Sequence, residues 1–242
     1  MNVVAIIQAR MGSTRLPGKV LLDLIGTPMF AHVVERCRRA STLNQVVVAT
    51  TDQPADNAII GLCDKYNWQW FRGSEEDVLD RYYQVARICK ANVVVRVTSD
   101  CPLIEPEIID MVVQALLDEQ TRDYTSNTLP PRNFPRGLDV EAMTFATLEQ
   151  AWRDDHNPTW REHVTPYIYR HPELFTLHAV SSYQDYSHMR WTVDTVEDLA
   201  FVCKVFEYFG HNAFSWQDVL VLLEQNPFWL DINRSVEQKQ IL

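Results

Sequence analysis

Three short runs of β-branched and aliphatic residues, Val3–Ile7, Gln45–Thr50 and Val93–Val97, most restrict what this chain can fold into. None alternates with polar residues, so each reads as a strand covered on both faces. The stretches between them have helical periodicity. Pro28–Arg39 places Met29, Phe30, Val33, Val34 and Cys37 on one face, and Pro54–Tyr66 does the same with Ile59, Ile60 and Cys63. Glu75–Lys90 carries acidic residues in its first turn, where the helix dipole favours them, and Pro106 suits the first turn of a helix over Pro106–Glu119. Gln69–Phe71 reads as one further short strand. Strands alternating with helices predict a largely parallel sheet covered by helices on both faces. Such sheets bind ligands at the carboxyl ends of their strands, which points to the loops after Ile7, Thr50 and Val97.

The second half is less regular. Residues 121–141 contain Pro130, Pro131, Pro135 and Gly137 and read as a long loop or a short-stranded excursion. Thr144–Trp152, Trp160–Arg170, Val196–Phe209 and Trp216–Glu224 have helical patterns, and Phe175–Val180 and Arg190–Val193 read as strands. No linker, low-complexity block or repeat divides residues 1–242, so one domain is expected. The formal net charge of −10 argues against a general nucleic-acid or anionic-membrane binder. No apolar run approaches the ~20 residues that span a bilayer, and the N-terminus lacks the basic region of a signal peptide. A cytoplasmic protein is expected. Its five cysteines include no CxxC pair and read as reduced structural thiols; Cys101 alone lies beside a candidate site.

That site begins directly after the first strand, in Gln8-Ala9-Arg10-Met11-Gly12-Ser13-Thr14-Arg15-Leu16-Pro17-Gly18-Lys19. Arg10, Arg15 and Lys19 supply three cations in an otherwise acidic chain, and the glycines let backbone N–H groups approach a ligand. Arginine grips phosphate oxygens bidentately and lysine adds a point charge, so the segment suggests a polyphosphate. A Walker A loop is excluded. Five residues, Pro17 among them, separate Gly12 from Gly18, and Val20 stands where that motif places a metal-binding hydroxyl.

QARMGSTRLPGKVLLDLIGTPMFAHVVER resembles the opening of the sugar cytidylyltransferases. These include the CMP-3-deoxy-manno-octulosonate and CMP-sialate synthetases and, most closely, the spore-coat polysaccharide synthesis protein F group. Further matching blocks span most of the chain: ATTD at 49–52, FRGSEEDVLDRY at 71–82, VRVTSDCPLI at 95–104, PRGLDVE at 135–141, EHVTPYIYRHPE at 162–173 and RWTVDTVEDL at 190–199. The resemblance implies a three-layer α/β fold similar to the nucleotide-diphosphosugar transferases. The implied activity is Mg²⁺-dependent transfer of a nucleoside monophosphate from an NTP, expected to be CTP, to a sugar, with release of pyrophosphate. A homodimer is compatible with it.

The same resemblance places Gln8, Ala9, Arg10, Gly12, Ser13 and Lys19 on the nucleotide, with Arg10, Arg15 and Lys19 neutralising the triphosphate. It places Arg72, Ser74 and Asp77 beside the base and ribose, although Ser74 also reads as a helix N-cap. Asp100 and Asp194 each end an expected strand and so lie where they could share one crevice; the resemblance makes them the Mg²⁺ ligands. Asp194 also precedes a helix it could cap, and Asp198 reads as surface charge on that helix. Thr98-Ser99-Asp100 stands where the octulosonate enzymes carry Gln-Gly-Asp. On the sugar side, Arg136, Asp139 and Glu141 fall in a Pro/Gly-punctuated loop, the kind of segment that often serves binding. His163 is either a structural histidine packed with Trp160 and Tyr167 or a general base. Two rivals remain: a glycosyltransferase of the same fold, against which the missing D-x-D after Asp100 counts, and a non-catalytic nucleotide-binding relative.

Overall fold

The computed structural model describes residues 1–238. β1 (Val3–Gln8) leads through a hairpin of β2 (Asp23–Leu24) and β3 (Thr27–Pro28) into α1 (Met29–Cys37). β4 (Gln45–Thr51), α2 (Asn57–Tyr66), β5 (Gln69–Gly73), α3 (Val78–Ile88), β6 (Val93–Thr98) and α4 (Pro106–Leu117) follow. The second half contains β7 (Tyr124–Ser126), β8 (Glu141–Thr144), α5 (Phe145–Asp154), α6 (Pro158–His163), α7 (Pro166–Tyr169), β9 (Leu177–Ala179), α8 (Val196–Phe209) and α9 (Trp216–Gln225).

Seven strands form one sheet in the order β5-β4-β1-β6-β8-β7-β9. The β5–β4, β4–β1, β1–β6 and β7–β9 pairs are parallel, and β8 lies antiparallel to both its neighbours. The continuous apolar runs follow from two-sided burial. Val3, Ala5 and Ile7 of β1 pack with Val93, Val95 and Val97 of β6 against α1, α4, α8 and α9. Val4 and Ile6 face the other way, with Val94, toward α3, α5 and α7. Successive side chains of a strand alternate between faces, so two packed layers require apolar residues at every position. The three-layer α/β architecture with a mostly parallel sheet is therefore present.

Three expectations change. The helix expected from Glu75 begins at Val78, because the Asp77 carboxylate accepts the Asp80 N–H and caps it. The helix expected over Trp160–Arg170 is broken into α6 and α7. Pro166 has no N–H to give the Glu162 carbonyl, and Val164 between them takes φ 72°, a rare value for a β-branched residue. Arg190–Val193 is not a strand. It makes a single bridge, Arg136 with Arg190, and its other backbone bonds join no strand: Val193 N–H, for one, donates to Asp100 O at 2.8 Å.

Among the described residues no helix is long and apolar enough to cross a membrane. All five cysteines are unbridged.

Candidate active site at the carboxyl ends of the parallel strands

β1, β4, β5 and β6 end side by side, at Gln8, Thr51, Gly73 and Thr98, and the loops that follow them converge. The loop after β1 is clamped at its root by Asp56, which is buried. Its carboxylate accepts the Met11 N–H (2.7 Å) and bonds to Thr50 and to both the N–H and hydroxyl of Thr51. Ala9 N–H donates to Ala49 O (3.1 Å), and the Gln8 side chain accepts from the buried Tyr82 hydroxyl (3.3 Å). Gly18 turns back with φ 69°, a conformation glycine adopts without strain, and its N–H donates to Met11 O (3.2 Å). Ser13 accepts the Leu16 N–H (3.4 Å), and Gly12 is exposed at the tip.

This fold of the loop drops Lys19 between two carboxylates. Its ammonium donates to Asp100 Oδ2 (2.9 Å), Asp194 Oδ1 (2.9 Å) and Val193 O (2.7 Å), using all three protons. Two aspartates 94 positions apart in sequence thus meet at one nitrogen. Burial alone would lower the Lys19 pKa, but the charges of Asp100 and Asp194 outweigh it and hold it above its ordinary value. Burial would raise Asp100, and the Lys19 charge with hydrogen bonds holds it below. The carboxylates therefore do not face each other bare: Lys19, expected on the triphosphate, neutralises them in the free protein. Arg15 reaches Asp194 Oδ2 from the solvent side (2.9 Å).

Asp194 has a further cation behind it. Arg190 Nη2 donates to Asp194 Oδ2 (2.8 Å), and the same guanidinium forks onto Asp198 (2.8 and 3.0 Å). Asp198 is not surface charge. It is fully buried and receives the Asp194 and Thr195 N–H groups as well. Thr195, not Asp194, caps α8, with Asp198 closing a reciprocal capping box. Asp56, Arg190 and Asp198 were not legible as site residues.

A second group lies at the end of β5. Arg72 donates to Thr51 O, Asn57 Oδ1 and Gln53 O at 2.8–3.0 Å, bracing the loop after β4. Ser74 accepts the Asp77 N–H (3.2 Å); Asp77, besides capping α3, receives two bonds from Arg161 of α6 (2.8 and 2.9 Å). Next to Arg161, Glu162 pairs with Arg10 (3.1 Å), so α6 reaches across to the loop after β1.

The expected sugar-side residues separate. Asp139 binds Arg132 through both oxygens (2.7 and 3.0 Å), beside Cys101. Gly137 has φ 105°, and a Cβ there would stand 2.5 Å from the Trp191–Thr192 backbone, so that approach requires glycine. Arg136 lines a cavity of about 410 Å³ with Arg190, His188 and Asn233. His163 ends α6, half-buried, its carbonyl accepting the Thr165 N–H (2.9 Å). Glu141 does not lie on the loop. It opens β8, paired in register with Arg96, and its buried carboxylate is held by Arg96, Tyr124 (2.5 Å) and Thr165 (2.6 Å). Cys101 is pushed well above the ordinary thiol range, by burial first and then by Asp100 and Asp139, so it does not supply a thiolate.

Among the described residues no group of three or more His, Cys, Asp or Glu side chains is arranged to hold a metal ion. The carboxylates that the structure brings together here are Asp100 and Asp194. Mg²⁺ is commonly held by one or two carboxylates, with substrate phosphates and water completing its shell, and this pair fits that pattern.

Parallel strands ending at a basic, glycine-containing loop opposite two carboxylates define the nucleotidyltransferase fold. The structure of CMP:2-keto-3-deoxy-manno-octonic acid synthetase complexed with CTP superimposes with a TM-score of 0.67 at 20% identity, over 86% of this chain and 99% of that one. The chain belongs to the cytidylyltransferase family, which residues 4–228 match. It is similar to a cytidylyltransferase from Leptospira borgpetersenii serovar Hardjo-bovis: TM-score 0.91, 34% identity, 99% of this chain and 100% of that one. It is 35% identical to the spore coat polysaccharide biosynthesis protein SpsF of Bacillus subtilis, over 93% of this chain and 95% of that protein.

Proposed function

We propose that this protein transfers the cytidylyl group of CTP to a sugar destined for a surface polysaccharide, in the cytoplasm and with Mg²⁺. The observation that carries the reading is the meeting of Asp100 and Asp194 at Lys19, beside Arg15, at the end of a parallel sheet. The family supports the reaction, and the relative named for spore coat polysaccharide biosynthesis supports the destination. A sugar oxygen attacks the α-phosphorus in line; the bond to the β-phosphate breaks, pyrophosphate leaves and the hydroxyl proton passes to solvent.

Arg15 and Lys19 turn from Asp194 and Asp100 to the phosphates, and Arg10 from Glu162. Asp100 and Asp194, so released, would hold the Mg²⁺, which would supply charge neutralisation at the reacting phosphate. Positioning and charge stabilisation of this kind carry most of the rate in phosphoryl-type transfers. Gln8, Ala9, Gly12 and Ser13 shape the cradle. Arg72, Ser74 and Asp77 fix the walls around the base, and the 132–139 loop with His163 borders the sugar.

The test is pyrophosphate release with CTP, ATP, GTP and UTP over a panel of sugars and sugar 1-phosphates, with and without Mg²⁺. CTP with Mg²⁺ is expected to be the productive pair. Preference for another nucleotide overturns the cytidylyl assignment, and turnover unaffected by chelator overturns the metal.

A further inference from the structure

The C-terminal segment reaches back to the carboxylate end of the site. Asn233 is buried, and its amide donates to Arg190 O (2.8 Å) and to Asp198 Oδ1 (2.9 Å). Gln238 accepts from Arg190 Nη1 (2.5 Å). With these two contacts the Arg190 guanidinium is bonded on all three nitrogens: Nε to Asp198, Nη1 to Gln238, and Nη2 to both Asp198 and Asp194. Asp198 in turn receives Arg190, Asn233 and the Asp194 and Thr195 N–H groups. Both the backbone and the carboxylate of Asp194 therefore hang on one buried polar cluster, and Asn233 ties that cluster to a segment beyond the family match at residues 4–228.

We propose that Asn233 is a positioning residue for Asp194: it locks the Arg190–Asp198 fork, which fixes the direction of the Asp194 carboxylate and so its affinity for the divalent cation. The inference rests on the proposed role of Asp194 as a metal ligand. The physical reason is that Arg190 approaches Asp194 through one nitrogen only, so the torsion of the guanidinium sets where Asp194 Oδ2 is held. A planar fork bonded on every nitrogen has one orientation; with Asn233 gone, Asp198 loses a donor and the fork can tilt. Groups that orient metal ligands in this way typically alter metal affinity or activity by about 10–100-fold when removed. The Asn233 amide bonds to Arg190 O and Asp198 Oδ1 and to none of the loop cations proposed for the phosphates, so its removal should act chiefly on the metal requirement.

The experiment compares Asn233→Ala with the unaltered full-length protein. Mn²⁺ binding is followed by electron paramagnetic resonance with CTP present, and the Mg²⁺ dependence of pyrophosphate release is followed at saturating CTP and sugar. The expected result is a metal requirement raised about 10-fold in both assays, with kcat recovered at high metal and KM for the sugar unchanged. A fall in melting temperature with an unchanged metal requirement would make Asn233 merely structural and overturn the proposal. Should Asn233→Ala not fold, Gln238→Ala, at an exposed position, removes the Nη1 acceptor and must raise the same constant. An unchanged constant in that folded variant overturns the proposal equally. Failure of the underlying reading is distinguishable, since the unaltered protein would then show no metal-dependent turnover of any nucleotide.

Discussion

Replacing Lys19 with methionine separates the two duties its position suggests. In the free protein the ammonium joins Asp100 and Asp194 at 2.9 Å each, with its side chain only 11% exposed. Lys19→Met keeps much of the side-chain volume and leaves two carboxylates without the cation between them. Breaking a buried ion pair costs roughly 3–5 kcal/mol. Asp100 and Asp194 keep 26% and 17% of their side-chain surface in water, which places the cost near the lower end, about 3 kcal/mol. For a chain of this length about 2–4 °C is lost per kcal/mol, so the melting temperature should fall by about 6–12 °C. Arg15 and Arg190 still face Asp194, so the protein should remain folded at 25 °C.

The informative measurement is the melting temperature as a function of Mg²⁺ without nucleotide. If the ion binds where proposed, Lys19 in the unaltered protein would compete with it, and Mg²⁺ alone should shift the melt little. In Lys19→Met the carboxylates are open to it, and Mg²⁺ at about ten times its dissociation constant should restore roughly 1.4 kcal/mol by mass action. Activity should still fall, because the phosphates lose a cation. An unchanged melting temperature would show that Lys19 does not stabilise the pair, and equal Mg²⁺ shifts in both proteins would show that it does not stand where the ion binds. Either result refutes the reasoning.

Arg15 is 39% exposed at one atom from Asp194, so Arg15→Ala should change stability by no more than about 0.5 kcal/mol while raising KM for the nucleotide; a large loss of melting temperature with unchanged kinetics would make the loop structural. Asp194→Asn keeps the shape and removes the charge shared by Lys19, Arg15 and Arg190, and should abolish most pyrophosphate release from a folded protein; full activity would exclude Asp194 as a metal ligand. Asp110 offers a pH test away from the site. Burial would raise its carboxyl, but four bonds from Ser41 and Thr42 hold it below its ordinary value. A lowered folded pKa gives stability present above the unfolded value of about 3.9 and lost as pH falls through the folded one. The difference in urea stability between the unaltered protein and Asp110→Ala should thus persist at pH 7 and shrink below about pH 4; a pH-independent difference would contradict it.

The sheet and the place of the site were legible because they rest on local signals. Apolar runs mark buried strands wherever both faces are covered, and a glycine-containing basic loop after the first of them points to the carboxyl end of the sheet before any tertiary contact is known. That Asp100 and Asp194 come together was legible from their flanking runs, though for Asp194 through an incorrect strand. Arg190–Val193 is apolar enough to read as one, yet its hydrogen bonds go to Arg136 and Asp100 across the chain, which no local pattern encodes. Asp198 was misread for a related reason. An aspartate in the first turn of a helix is ordinary surface charge until an arginine eight residues earlier folds back onto it. Glu141 failed in the opposite sense. It follows a Pro/Gly-rich loop closely enough to be read with it, but its register opposite Arg96 puts it in the sheet.

The pattern of charges suggests why this site should remain quiet until both metal and nucleotide arrive. Three cations, Arg15, Lys19 and Arg190, face three carboxylates, Asp100, Asp194 and Asp198, and the cluster is balanced. A triphosphate entering alone would meet Asp100 and Asp194, and a divalent ion entering alone would have to displace Lys19. On the proposed roles, the two entering together would let the ion take the carboxylates while the freed Lys19 and Arg15 take phosphate oxygens. Each ligand would thereby remove the obstacle to the other, and such a coupling would be reciprocal, because whatever factor the nucleotide adds to metal affinity the metal adds to nucleotide affinity. Arg190 stays behind in this exchange, held by Asp198, Asn233 and Gln238. That leaves Asp194 with one permanent cationic partner and two exchangeable ones, the arrangement needed to keep a carboxylate aimed while its other partners change.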